Sequence, residues 1–188
     1  MVGKVFIKLA KANIISCRPG DWNHALRVVY RVKQLINEET QNTDLIIAAA
    51  YIHDIGWKNI IPSKQKSISK DELLKYESQA NKNTIPFATK FLSELNYSKM
   101  QIGIILDLIK AVDERKSNNI DEAVIVDADN LSKLNIDHVR EKYDKNSWPE
   151  IYNLFETVLP NIFKTKLAKK IYPDLLMRLK TEIDQNLK

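Results

Sequence analysis

The chain has 188 residues, 44% of them hydrophobic and 28% charged, a formal net charge of +5 and only four glycines and six prolines. These are values of a folded globular domain rather than a disordered tail, and no apolar run reaches the roughly 18 residues needed to cross a bilayer. The single cysteine, Cys17, excludes an internal disulfide framework.

One domain over residues 1–188 is expected, with a cytoplasmic address, because Lys8 and Lys11 interrupt the apolar start that a signal peptide would need. The positive charge reads as a lysine-rich solvated surface. No arginine cluster with interleaved aromatics marks a nucleic-acid platform, so nucleic acid is not an expected partner.

Hydrophobic spacing predicts helices nearly throughout. Residues 1–13 form a short amphipathic lead-in, and Pro19-Gly20 breaks the chain. Asp21 then offers a cap for a helix running to about Glu39, with Trp22, Ala25, Leu26, Val29 and Val32 at three- and four-residue steps. His24 shares its stripe with Val28 and Leu35 and should point inward. Asp44 caps a helix from Leu45 to about Asp54, apolar nearly all round and so central, and Gly56 ends it in a left-handed conformation. Ser69-Lys70-Asp71-Glu72 and Ser98-Lys99-Met100-Gln101 match the capping box and start helices over about 70–83 and 99–113. Between them Pro86 either kinks a long helix or opens a new one at 86–95. Asp121 begins a helix through Leu134. The last forty residues give two or three more helices, punctuated by Pro149, Pro160 and Pro173. The expected class is all-α.

The chemistry concentrates at His53-Asp54, in the run Ala-Ala-Ala-Tyr-Ile-His-Asp-Ile-Gly. The pair sits in the last turn of its helix, where a carboxylate opposes the helix macrodipole and favours a nearby cation. Imidazole and carboxylate together grip a divalent ion. His24 lies upstream, and Asp127 and Asp129 lie downstream. The third histidine, His138, falls in a polar segment and reads as a surface residue. Asp127 and Asp129 project about 200° apart on a helix, so only one should coordinate. Periodicity favours Asp127 as the buried one, because Val124, Leu131 and Leu134 share its face.

The ordered set resembles the HD superfamily of metal-dependent phosphohydrolases. Asp21-Trp22-Asn23-His24-Ala25-Leu26-Arg27-Val28 is similar to the opening HD motif, residues 49–56 to the second, and 127–131 to the last. Together they span about 18–134, leaving residues 135–188 as a helical C-terminal extension of an HD-domain helical core. The resemblance implies metal ligands His24, His53, Asp54 and Asp129, the last because HD ligands belong to an Ala-Asp-x-Leu run, here Ala128-Asp129-Asn130-Leu131. Asp127 is then a group that orients a ligand histidine, or the alternative ligand.

One divalent ion (Mn, Fe, Co, Ni, Zn or Mg) is the implied cofactor, with metal-bound water as nucleophile and Asp54 anchoring the ion and orienting that water. Many HD proteins carry further histidines where this chain has Tyr76-Glu77 and Ala111-Val112-Asp113, so a one-metal site is expected. The implied substrate is a nucleotide-like small-molecule phosphate. The alternative is a degenerate HD module that senses a ligand or binds a partner without turnover. Candidate substrate contacts are Arg18, which forks onto phosphate or closes a loop salt bridge; Lys58, which meets phosphate or faces solvent; and Glu77, which orients water or pairs with a lysine. Trp22 and Trp57 stack on a base or pack in the core, and Arg27 braces the fold through an acidic partner.

Overall fold

The computed structural model describes residues 2–61 and 70–187, with side chains from residue 75 onward in the second stretch. Every regular element among the described residues is helical: α1 (Lys4–Ile14), α2 (Asp21–Leu35), α3 (Thr43–Ile52), a 3₁₀ turn (Ile55–Trp57), α4 (Lys70–Glu94), α5 (Lys99–Glu114), α6 (Ile120–Lys133), α7 (Ile136–Lys142), a second 3₁₀ turn (Lys145–Ser147), α8 (Trp148–Ile162) and α9 (Lys166–Leu187). The all-α class holds. A single cluster of buried apolar side chains runs from Phe6 to Ile183. In it α2 packs on α3 and α6, α5 packs on α3 and α6, and α8 and α9 close against each other and against α6.

Several ends differ from the sequence expectation, each for a local reason. Asp21 is not the cap of α2. Gly20 caps it with φ +78°, and Asp21 lies buried in the first turn, accepting from the Arg18 backbone N–H at 2.8 Å and from Lys142. The helix stops at Leu35 rather than Glu39, because Asn37 and Thr40 bond each other and the neighbouring backbone in a turn that competes with helix. Asp44 sits within the first turn of α3. The preceding Asn42 sends its side chain to Asp121 instead of capping.

Gly56 does not terminate α3 and is not left-handed; it lies in the first 3₁₀ turn. A Cβ there would fall 2.3 Å from the Ala80 carbonyl oxygen and from Thr84 Oγ1, so glycine is required by the close approach of α4. Pro86 lies inside one continuous α4, and Pro160 and Pro173 lie inside α8 and α9. The capping box at Ser98 and Gln101 forms on both sides; the one expected at Ser69 lies outside the described residues.

Helix α6 is the true centre. Every residue from Asp121 to Ser132 is buried, including four acidic ones. Buried carboxylates are tolerated only when satisfied, and each of these has specific donors. Asp121 accepts from the backbone N–H groups of Gln41 and Asn42. Glu122 accepts from the Asn118 backbone and the Asn119 side chain.

Asp127 accepts from the Lys164 and Thr165 backbone N–H groups at 3.1 and 2.7 Å, tying the start of α9 to α6. Burial pushes its pKa up, against the hydrogen bonds from Thr165 and Lys164 that favour the charged form. Asp127 therefore does not orient a ligand histidine, and the expected role is corrected: it holds the C-terminal helix in place. Asp127→Ala should cost about 2 kcal/mol in chemical denaturation, the order of lost hydrogen bonds to a charged group. Metal content should be unchanged, and loss of metal in a folded Asp127→Ala protein would contradict this assignment.

Candidate metal centre

Three elements meet at one point. Helix α2 brings His24, the residues just past the C-terminus of α3 bring His53 and Asp54, and α6 brings Asp129. The two imidazoles and Asp129 are buried. His24, His53 and Asp129 converge with one nitrogen or oxygen apiece within 4.8 Å of one another. His24 Nε2 lies 3.0 Å from Asp129 Oδ1 and 3.2 Å from His53 Nε2. His53 Nε2 lies 3.8 Å from Asp129 Oδ1 and 3.6 Å from Asp54 Oδ2.

The hydrogen bonds behind the rings decide which nitrogens face inward. His53 Nδ1 is 3.0 Å from the Ala50 carbonyl, which can only accept, so Nδ1 carries the proton and Nε2 presents its lone pair. Ser132 donates its hydroxyl to the Asp129 carbonyl at 2.7 Å and therefore accepts from His24 Nδ1 at 3.1 Å. His24 Nε2 is thus also a bare lone pair. Asp54 Oδ2 is buried with no hydrogen-bond partner among the described residues. With both rings neutral, two imidazole lone pairs face the Asp129 carboxylate, and Asp54 Oδ2 lies beside His53.

Such a set is repulsive without a cation. A proton is the poorer filler, because burial lowers the His24 pKa despite the bonded Asp129 that favours its charged form. An ion with ligand bonds of about 2.1 Å sets neighbouring ligand atoms about 3.0 Å apart in an octahedron and about 3.4 Å apart in a tetrahedron. The separations within the group of His24, His53 and Asp129, 3.0, 3.2 and 3.8 Å, bracket these values, whereas Asp54 is within such reach of His53 alone, at 3.6 Å. His24, His53 and Asp129 could hold a divalent ion.

Charged neighbours hold the carboxylates in their anionic form. Burial alone would raise Asp54, but Arg18, with Nη2 at 2.8 Å from Oδ1, outweighs it and holds its pKa well below the usual range. Asp129 is held low in the same way, against burial, by Lys133 at 2.6 Å. Arg18 is itself sandwiched between Asp21, Asp54 and the Trp57 ring, 3.9 Å away. Its guanidinium is therefore engaged by carboxylates rather than free to fork onto phosphate. Trp22 packs, stacked on Tyr51.

Lys58 does not line the cavity at the centre; it donates to Asn13 Oδ1 at 2.7 Å. Arg27 braces the fold through Glu141 at 3.0 Å. Glu77 stands exposed on the rim of a cavity of about 440 Å³ that opens onto the centre. Asp113, on α5, faces the same cavity. Burial, with Asp54, Asp129 and Glu77 nearby, pushes its carboxyl up to about 7 against the opposing pull of His53.

His138 corrects the sequence reading most sharply. It is buried, lines the cavity, and its ring centroid lies 5.1 Å from that of His24. Burial and the neighbouring His24 hold it neutral, far below an ordinary histidine. Sequence reasoning also passed over Ser132, Lys133 and Lys142. Ser132 and Lys133 stand three and four residues after Asp129 and so on its helical face, a legible signal. Lys142 meets Asp21 only through tertiary contact, and no local pattern marks it. Comparison with protein-family models, with curated proteins and with solved structures finds no match to this chain.

Proposed function

We propose that this chain is a divalent-metal-dependent phosphohydrolase acting on a nucleotide-like small-molecule phosphate. The observation that supports it is the cluster of His24, His53 and Asp129, with Asp54 Oδ2 beside His53, on a cavity whose lining also carries Lys133, Lys142 and Arg115. When bound, a divalent cation supplies Lewis-acid polarisation of a phosphoryl oxygen and lowers the pKa of a neighbouring water.

The chain's residues do the positioning. Ala50 and Ser132 fix the two imidazoles with their lone pairs inward. Arg18 holds Asp54 by Oδ1, which leaves Oδ2 to anchor the ion and orient the attacking water. Lys133 holds Asp129 by Oδ2 in the same manner. Lys133 and Lys142 are paired with Asp129 and Asp21, which leaves Arg115 to offset phosphate charge as it shifts during transfer. Cys17 is not a nucleophile here, because burial and the Asp21 and Asp54 carboxylates push its thiol far above the range where thiolate forms.

Elemental analysis of the purified chain, followed by a panel of nucleotides with Mn, Co, Ni and Mg, tests the reading. About one bound ion per chain and metal-dependent phosphate release are expected. A chain that binds no ion, or releases no phosphate with any of the four, would refute it. The second reading, a ligand-sensing module without turnover, draws on the commitment of Arg18 to Asp21 and Asp54 rather than to an open cavity. It is marked by metal and nucleotide binding without phosphate release.

A further inference from the structure

The cavity beside the metal centre is lined by two unlike sets of residues. One is the ligand cluster with its charged neighbours. The other is made by α8, whose cavity-facing residues are Ile151, Leu154, Phe155, Val158 and Leu159. They recur at three- and four-residue steps along one face of the helix. None carries a hydrogen-bonding side chain, although Asn153, Glu156 and Thr157 occupy the other faces. Phe155 and Leu159 are buried, whereas Leu154 is half exposed and Ile151 and Val158 are partly so. A stripe that served only the core would be closed over; this one stays open where it borders the cavity. A site that handled only a phosphate ion, or a sugar phosphate with a hydroxyl on every carbon, would have no use for it, since such groups need hydrogen-bonding partners when desolvated.

We propose that α8 is the specificity wall of this site, and that the cavity takes a phosphate ester bearing a flat, apolar-faced ring, with the phosphate at the metal centre and the ring against Leu154 and Val158. The volume of about 440 Å³ lies in the lower part of the range of small-ligand pockets, about 300–1,000 Å³, and suits one ring-sized group beside one phosphate rather than a dinucleotide. The proposal deepens the phosphohydrolase reading and rests on it for the position of the phosphate. It assigns substrate choice to a helix outside residues 18–134, the span that carries the HD resemblance. Two sources share this ring chemistry, an aryl ester and a nucleobase carried on a sugar.

Equilibrium binding by titration calorimetry tests it without requiring turnover, using 1-naphthyl phosphate, adenosine 5′-monophosphate and methyl phosphate on the full chain loaded with Mn. At least one ring ester should bind about tenfold or more tightly than methyl phosphate, the discrimination an apolar pocket gives for a few carbon atoms. Whichever ring ester binds more tightly identifies the source. Leu154→Asp and Val158→Asp should bring that ratio to near one. Leu154→Ala, a milder change at a half-exposed position, should lower the ratio in the same direction and guards against misfolding of the charged variants. A ratio near one in the unaltered chain, or a ratio that the folded variants leave intact, overturns the proposal. Absence of phosphate release with the ratio intact would instead reject the hydrolase reading and leave the wall standing. Turnover with a ratio near one would do the reverse.

Discussion

Alanine at His53 is expected to leave the purified chain without its divalent ion and without metal-dependent phosphate release. His53 contributes one of only two imidazole lone pairs in the cluster, and it lies between His24 on one side and Asp54 on the other, at 3.2 and 3.6 Å. Loss of a group that merely orients a metal ligand costs about 10- to 100-fold in affinity, so loss of a ligand itself should cost more than about 100-fold. The fold should survive, because the imidazole gives up only its bond to the Ala50 carbonyl. Thermal unfolding separates the two effects. An ion at a hundred times its dissociation constant stabilises the folded chain by about 2.7 kcal/mol, and this increment should be present in the unaltered protein and absent in His53→Ala.

Asp54→Ala should lose the ion in the same way but also lower the stability of the metal-free chain, by about 3 kcal/mol, because Arg18 is left without one of its two carboxylates in a largely buried site. Metal content and turnover equal to the unaltered protein in either variant would rule out the proposed centre.

Alanine at Gly56 should destabilise the chain by about 3 kcal/mol, the upper end of the ordinary cost of overpacking. The backbone at Gly56 is not left-handed, so by conformational entropy alone the added methyl would stabilise by about 0.4–1 kcal/mol. Packing reverses the sign. The new Cβ would lie 2.3 Å from the Ala80 carbonyl oxygen and 3.0 Å from the Thr84 backbone nitrogen, neither of which can rotate away. Relief requires the 3₁₀ turn and α4 to separate. Asp54 is two residues upstream and Trp57, under the Arg18 guanidinium, is one residue downstream, so separation loosens the centre as well. Metal affinity should fall together with the denaturation midpoint. A folded Gly56→Ala protein at least as stable as the parent would show that α4 does not press on the turn.

Much of this architecture was legible in the order of residues, and the reasons are local. The spacing of Val28, Val29, Val32 and Leu35 marks one face of α2, and all four are buried. The capping box at Ser98 and Gln101 forms because its two hydrogen bonds close within one turn. In the case of Asp127 and Asp129, helical geometry excluded that both face one point, and the structure brings Asp129 to the two histidines while turning Asp127 to the start of α9. Periodicity was a poor guide there because α6 is buried on every face, so neither carboxylate could be told apart by burial.

The candidate ligands His24, His53, Asp54 and Asp129 were implied by the HD resemblance; what sequence determined by itself is the helical class and the approximate spans of α2, α3, α5 and α6. Those depend on side-chain type and on contacts a few residues apart. Tertiary structure alone decided that His138 is buried beside His24, that Lys58 faces Asn13, that Arg18 is clasped by Asp21 and Asp54, and that α8 lays an apolar face along the cavity. It also decided the state of the two ligand imidazoles, since His24 takes its orientation from Ser132, 108 residues away in the chain. A polar side chain's surroundings depend on which helices meet around it. That is set by the packing of the whole core, and periodicity along one helix carries no record of it.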